Sequence, residues 1–306
     1  MTGEAAFLSL LRAGASDPAA RGLMDDVAVL EVGDARLVVT SDTLVESIHF
    51  LPDDPPDSIG WKLAAVNLSD LAAKGARPLA CLMNYALSDD RAWDEAFLSG
   101  LRNALDHYAM PLVGGDTVAM PKGAPRSYTL TAIGQATSQP VPSRSGAQAG
   151  DPLYITGPVG NAGAGLSLLQ AGQTEPAALI DCYRRPVPRI PEGRILVSVV
   201  NAMMDVSDGL LIDAARMAKA SGLAVMIDHV PVTADFAAFA GSGTDRLVAA
   251  ATAGDDYELL FALPADIEPP VPAIRVGCFA AGEGLTLVLK GVSIPLPTAL
   301  GYEHGT

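Results

Sequence analysis

Aspartates recur in this chain where strands and helices are expected to end, each among small residues. Asp25 and Asp26 precede the first expected strand, Asp42 closes the next in VVTSDT, and Asp116 follows two glycines in LVGGDT. Asp205 and Asp208 bracket Val206-Ser207 ahead of a helix, and Asp255-Asp256 follow Gly254. Each alone has an ordinary explanation: Asp42 and Asp116 as turn residues, Asp208 or Ser207 as a helix N-cap. Together they fall beside strand ends and Gly or Ser, where ligands bind in α/β sheets. Carboxylates that converge without counter-charge repel one another and shift upward in pKa. Hard cations relieve that conflict, and Mg2+ in particular is held by a few carboxylates together with waters and substrate phosphates.

Asp70 poses the problem most sharply. DSIGWKLAAVNLSDLAAKGA reads as one helix, with N-cap chemistry at Asp57 and Ser58 and a left-handed stop at Gly75. Trp61, Ala65, Leu68 and Ala72 line one face. Asn67, Asp70 and Lys74 line another, but Leu63 and Leu71 flank them on that same side. Either Asp70 and Lys74 form a surface pair worth about a few tenths of a kcal/mol, or Asp70 joins the other carboxylates.

Other chemistries fit poorly. The chain has no G-x-x-x-x-G-K-[ST] and no G-x-S-x-G nucleophile elbow. GPVGNAGAG, with glycines at 157, 160, 163 and 165, reads as a tight strand-to-helix turn rather than a dinucleotide fingerprint. The histidines at 49, 107, 229 and 304 share no metal-ligand spacing. Cys81, Cys182 and Cys278 are odd in number and far apart, which fits reduced thiols and argues against a disulfide framework. A net charge of −15 without a basic stripe argues against nucleic acid as a partner. No apolar run is long enough to span a bilayer and no signal-peptide pattern opens the chain, so the expected location is the cytoplasm, with no membrane partner.

The elements that must position these residues alternate in type. Residues 4–14 read as a helix, and VAVLEVGDARLVVTSD as two strands around a Gly33-Asp34 turn. The long helix follows, then a strand near 79–87, a helix over 91–109, a short strand into GGDT and a strand over about 127–136. The polar, proline-bearing stretch 138–151 is the candidate domain boundary, dividing the chain into 1–138 and 139–306. Beyond it, DPLYITG is a strand, PVGNAGAG turns into a helix over 164–171, and RRPVPRIPEG reads as a proline-pinned connector. AMMDVSDGLLIDAARMAKASG is an apolar run, a polar turn and a helix ending at Gly222. Strands near 223–228, 256–263, 273–279 and 285–289 alternate with short helical pieces. This pattern predicts an α/β or mixed α+β protein of two domains.

TSDTLVESIHF, AAVNLSDLAAKGARP, LVGGDT, RSGAQAGDPLYITGPVG, DVSDGLLIDAARMAKASG, AGDDYELLFALP and the terminal GYEH occur in this order in thiamine-monophosphate kinases, which the chain resembles from Gly3-Glu4 to His304. That family shares a superfamily with aminoimidazole-ribonucleotide synthetase and selenophosphate synthetase. The resemblance implies an N-terminal α/β domain that pairs across a homodimer and a C-terminal α+β domain. It implies transfer of the γ-phosphoryl of ATP directly onto thiamine monophosphate, with several Mg2+ ions. Asp26, Asp42, Asp70, Asp116 and Asp205 match magnesium ligands, with oxygens from Thr40 and Ser41, and Asp208 matches a further metal position. Of these, Asp42, Asp70, Asp116 and Asp208 are the carboxylates expected to carry catalysis. Gly115, Asp116, Arg144 and Ser207 match the nucleotide site, and His49, Asp255 and Tyr302 match contacts to the thiamine moiety.

Three positions depart from the family pattern: Met24 and Ser47 stand where Gly is common, and the Arg often found after GGDT is absent. Two other readings remain, another ATP-dependent synthetase of the superfamily and a non-catalytic metal- or nucleotide-binding paralogue. Selenophosphate synthetases carry a reactive Cys or selenocysteine near the N-terminus, whereas the first Cys here is Cys81, inside an expected strand.

Overall fold

Gly33 and Asp34 turn the chain back on itself between β1 (Ala28–Val32) and β2 (Ala35–Val45), an antiparallel hairpin. The computed structural model describes residues 3–304. α1 (Gly3–Gly14) and a short 3-10 segment precede the hairpin. α2 (Pro56–Ala72), β3 (Arg77–Leu87), α3 (Arg91–His107), β4 (Leu112–Ala119) and β5 (Ser127–Gln135) follow it, giving a sheet in the order β1-β2-β5-β3-β4. Only β3 and β4 run parallel in this sheet, so it mixes both kinds of pairing.

The pleat of β2 sorts its residues by face. Val38, Thr40 and Leu44 are buried under the helices, and Asp42 shares their side of the strand. Ser41 and Thr43 point to the open face, where their hydroxyls meet those of Thr131 at 2.9 Å and Thr129 at 2.7 Å. β4 forms the far edge and is exposed along its whole length.

The second sheet collects β6 (Pro152–Ile155), β7 (Ala202–Asp205), β8 (Ala224–Ile227), β9 (Leu259–Ala262), β10 (Ile274–Ala280), β11 (Gly284–Leu289) and β12 (Val292–Ile294). Their order is β12-β11-β8-β10-β6-β9-β7, largely antiparallel. Helices α4 (Asn161–Gln170), α5 (Ala177–Arg184), α6 (Ile190–Leu196), α7 (Leu210–Ser221), α8 (Ala234–Ala240) and α9 (Thr244–Ala251) connect the strands. α6 starts inside the stretch that reads as a connector, because Pro191 stands in the first turn, where its missing N–H costs nothing.

α2 lies between the sheets and is buried nearly throughout. Gly75, at φ +58°, closes it in the left-handed conformation its position predicts, with Gly75 N–H on the Ala72 carbonyl and Ala76 N–H on that of Leu71, both at 2.9 Å. One face of β9 packs Leu259 and Phe261 into the same core as Leu63 and Leu68 of α2. Its other face sends Leu260 and Ala262 into a second core with Leu211 and Met217 of α7. The first core therefore runs across the junction between the sheets. Among the described residues no helix is long and apolar enough to cross a membrane.

Candidate active site

Each polar residue of the NLSD segment in α2 has a separate partner. Asn67 accepts the Asp42 N–H at 3.1 Å and donates to the Leu63 carbonyl at 2.9 Å, pinning β2 to the helix. Ser69 donates to Asp205 at the end of β7 at 2.6 Å, pinning the second sheet to the same helix. Asp70 accepts from the Thr40 hydroxyl on β2. Lys74 is wholly buried and takes no part with Asp70. Its ammonium donates to Asp25 and Asp26 at 2.7 Å each, which settles the choice left open by helix spacing.

Asp26, Asp70 and Asp205 each bring a carboxylate oxygen within 4.8 Å of the others, from the loop before β1, from α2 and from β7. Burial raises Asp70 well above the usual carboxylate range, and Asp42, Asp205 and Asp26 push it further. Burial, then the charges of Asp26 and Asp208, push Asp42 up to about 6. Burial and Asp26 lift Asp205 to about 8 against the Ser69 hydrogen bond. Asp26 moves the other way: burial alone would raise it, but Lys74 and Arg144 hold it far below the usual range. The donors are hard oxygens, and three carboxylates this close can all be charged only beside added positive charge. The set fits a divalent cation such as Mg2+.

The cluster opens into a cavity of about 550 Å³ between the two parts of the chain. Asp42, Asp70, Asp205, Ser207 and Asp208 are among its lining residues. His49, Asp255 and Tyr302 line it too, with the N–H groups of Asp255 and Tyr302 on the carbonyls of Ser207 and Asp208. Ser207 and Asp208 form the turn into α7, with Asp208 paired to Arg216. His49 Nδ1 accepts the Val45 N–H at 3.0 Å, and burial and the neighbouring His304 lower its pKa. The loop before it carries Ser47 at φ +64°, in the left-handed region that favours glycine. Tyr302 is held by its backbone, its N–H donating to the Asp208 carbonyl at 2.9 Å, so the described end of the chain is tied to the cavity rim.

Arg144 joins the cluster by pairing with Asp26, and its Nε is buried without a partner. Three of the expected site residues stand elsewhere within the chain. Ser41 turns its hydroxyl to the open face of the sheet. Gly115 and Asp116 lie on β4, in register with Met83 and Asn84 of β3. Three strand spacings separate β4 from β2, roughly 14 Å at the usual distance between strands, and Asp116 occupies the face opposite Asp42. The chain therefore does not gather all its acidic motifs into one cluster by itself.

Sequence reasoning missed Asn67, Ser69 and the pairing of Asp25. The available signal was the density of polar residues in a helix otherwise apolar on every side. Cys81 is fully buried in β3, and burial pushes its thiol up to about 11, which removes it as a nucleophile.

The two sheets, with the acidic cluster at their junction, fall in two segments that match one family of proteins, the AIR synthase related proteins. The N-terminal domain of that family matches residues 24–136 and its C-terminal domain residues 148–290, and the chain belongs to this family. Within it, the chain is a member of the thiamine-monophosphate kinases, a family of enzymes. It is 37% identical over 302 residues to the thiamine-monophosphate kinase of Salmonella typhimurium, covering 92% of this chain and 91% of the relative. The enzyme of Caulobacter vibrioides is 34% identical over 308 residues, covering 94% and 86%. A solved structure of AaThiL complexed with AMPPCP and TMP matches at a TM-score of 0.88 and 29% identity, covering 99% of this chain and 97% of that one. The thiamine-monophosphate kinase structure from Stenotrophomonas maltophilia matches at 0.76 and 34%, covering 93% and 95%.

Proposed function

We propose that this protein transfers the γ-phosphoryl group of ATP in line onto thiamine monophosphate, giving thiamine diphosphate and ADP, as a cytoplasmic Mg2+-dependent homodimer. One observation carries the reading: a single cavity is lined both by the carboxylates Asp42, Asp70 and Asp205 and by His49, Asp255 and Tyr302. Carboxylates that can hold metal for a phosphate, and an aromatic ring for an organic cation, suit a substrate that carries both groups. The structural relative that holds AMPPCP, an ATP analogue, together with TMP supports the same pairing of ligands.

Asp26, Asp42, Asp70, Asp205 and Asp208, with Thr40, would hold the metal ions. Bound there, Mg2+ would neutralise these carboxylates and supply positive charge for phosphate oxygens. The acceptor oxygen is already anionic near neutral pH, so the chain needs no strong general base. Its own task is positioning, which dominates phosphoryl transfer. Ser207 at the turn into α7 and Arg144 serve the nucleotide. Arg144, which pairs with Asp26, would offer its guanidinium to a nucleotide phosphate beside that carboxylate. Tyr302 faces the thiazolium, whose charge favours an aromatic ring.

Gly115 and Asp116 act from the partner subunit. β4 is an exposed edge with Leu112, Val113 and Val118 on its surface, the kind of strand that a second copy covers. Ser41 contributes through its backbone. The deciding experiment incubates the protein with ATP, Mg2+ and thiamine monophosphate and follows thiamine diphosphate. Formation that stops with excess EDTA and resumes with Mg2+ is expected. No product, or undiminished turnover in EDTA, overturns the reading.

A further inference from the structure

α2 buries a second lysine, twelve residues before Lys74. Lys62 leaves only 3% of its side chain exposed, and its ammonium meets three segments at once. It donates to the His49 carbonyl at 3.0 Å and to Asp255 Oδ2 at 2.7 Å, and lies 4.1 Å from the centre of the Tyr183 ring. The other oxygen of Asp255 accepts from the Tyr257 hydroxyl at 3.0 Å. Asp255 itself sits at φ +61°, with its N–H on the Ser207 carbonyl at 2.8 Å.

His49 belongs to the loop after β2 and Asp255 to the loop before β9, so these two lining residues of the cavity come from different domains. Their separation depends on how the domains dock. A buried ion pair is a weak source of stability, since desolvation offsets its attraction. It is a strong source of geometry, because an ammonium with few solvent contacts must keep its partners in place. Pairing also cancels the charge of Asp255, leaving a carboxylate clamped on both oxygens as a directional acceptor. Its side chain still has 32% of its surface exposed.

We propose that Lys62 is a positioning residue for the thiamine end of the cavity, fixing Asp255 and the His49 loop at one spacing across the domain junction. This rests on the kinase reading above. The test measures calorimetric binding of thiamine monophosphate and, separately, of Mg2+–AMPPCP to the full-length protein. Lys62→Met keeps the stem and removes the ammonium. It should weaken thiamine monophosphate about tenfold or more and the nucleotide by less than about twofold. In an Asp255→Asn background, adding Lys62→Met should change thiamine monophosphate affinity by less than about twofold, because the group it acts through has been altered. Lys62→Gln, which keeps a donor, should fall between the lysine and methionine forms, so the test survives an unstable Lys62→Met. Unchanged binding, equal weakening of both ligands, or an undiminished effect in the Asp255→Asn background overturns the proposal. An unaltered protein that binds thiamine monophosphate without phosphorylating it overturns the kinase activity and leaves the role of Lys62 standing.

Discussion

Asp70 shows how one side chain couples stability to function. Its carboxylate is part-buried, accepts from Thr40 and faces Asp26 and Asp205. Asp70→Asn removes a carboxyl whose charged form has no cation of its own in the chain, so the metal-free fold should hold or melt slightly higher. Thiamine diphosphate formation should fall by about a hundredfold or more as one metal oxygen is lost. Melting curves in EDTA and initial rates in Mg2+ read the two effects separately, and wild-type rates would remove Asp70 from the cluster. Tyr302 is the contrasting case, with 42% of its surface exposed at the rim. Tyr302→Ala should raise KM for thiamine monophosphate severalfold, in line with a cation–aromatic contact of about 0.5–2 kcal/mol. KM for ATP should barely move. Equal loss toward both substrates would mark general damage instead.

At the scale of elements, everything hangs on α2 and what lets it be buried. It crosses α3 at two glycines: a Cβ on Gly60 would lie 2.1 Å from the Phe97 carbonyl oxygen, and one on Gly100 only 1.7 Å from that of Asp57. Both obstacles are backbone, which cannot rotate away as a side chain can. Gly100→Ala gains helix propensity but must push the helices apart, at a cost of about 1–3 kcal/mol. Because α2 carries Asn67, Ser69 and Asp70 to β2, β7 and the cluster, the same variant should lose turnover as well as denaturation midpoint. A Gly100→Ala protein as stable as wild type would mean that the crossing is looser than its geometry. The helix was legible from apolar spacing and its Gly75 stop. Its burial on all sides was not, because that depends on a second sheet supplied by residues more than a hundred positions away.

For the whole molecule, the carboxylates make stability depend on proton and cation together. Asp42 at about 6 and Asp205 at about 8 keep protons in the folded chain that the unfolded chain releases near pH 4. Their contribution is full below the unfolded value and is lost as pH rises through the folded ones. Asp26, held low, acts oppositely, and its contribution is lost only in stronger acid. In EDTA, Tm should therefore fall between about pH 5.5 and pH 8. Mg2+ should raise Tm more at the upper end, where it no longer competes with protons. A metal-free Tm that climbs over this range would contradict the cluster. Assembly gives a second test. If Asp116 serves the partner subunit, co-expressing Asp70→Asn with Asp116→Asn chains leaves one intact site in each mixed dimer. Random pairing should then restore about a quarter of wild-type activity per chain, whereas action within one chain restores none.

Local chemistry settles much of this protein. Strand alternation, the helix stop at Gly75 and acids beside small residues depend on neighbours along the chain, so they can be read from it. So can the acid-rich character of the site, since the scattered cysteines, the unspaced histidines and the missing P-loop motif argue against thiolate, imidazole-metal and P-loop chemistries. Tertiary structure decided which acids meet. Asp26, Asp70 and Asp205 converge because α2 is fastened to β2 by Asn67 and to β7 by Ser69, while Lys74 turns from its helical neighbour to Asp25 and Asp26. Asp116 stays apart because the order β2-β5-β3-β4 places it three strands away on the other face. Strand order and pleat parity are set by pairing between distant segments, where one residue of register reverses a side chain's face. No local pattern along the chain encodes that choice.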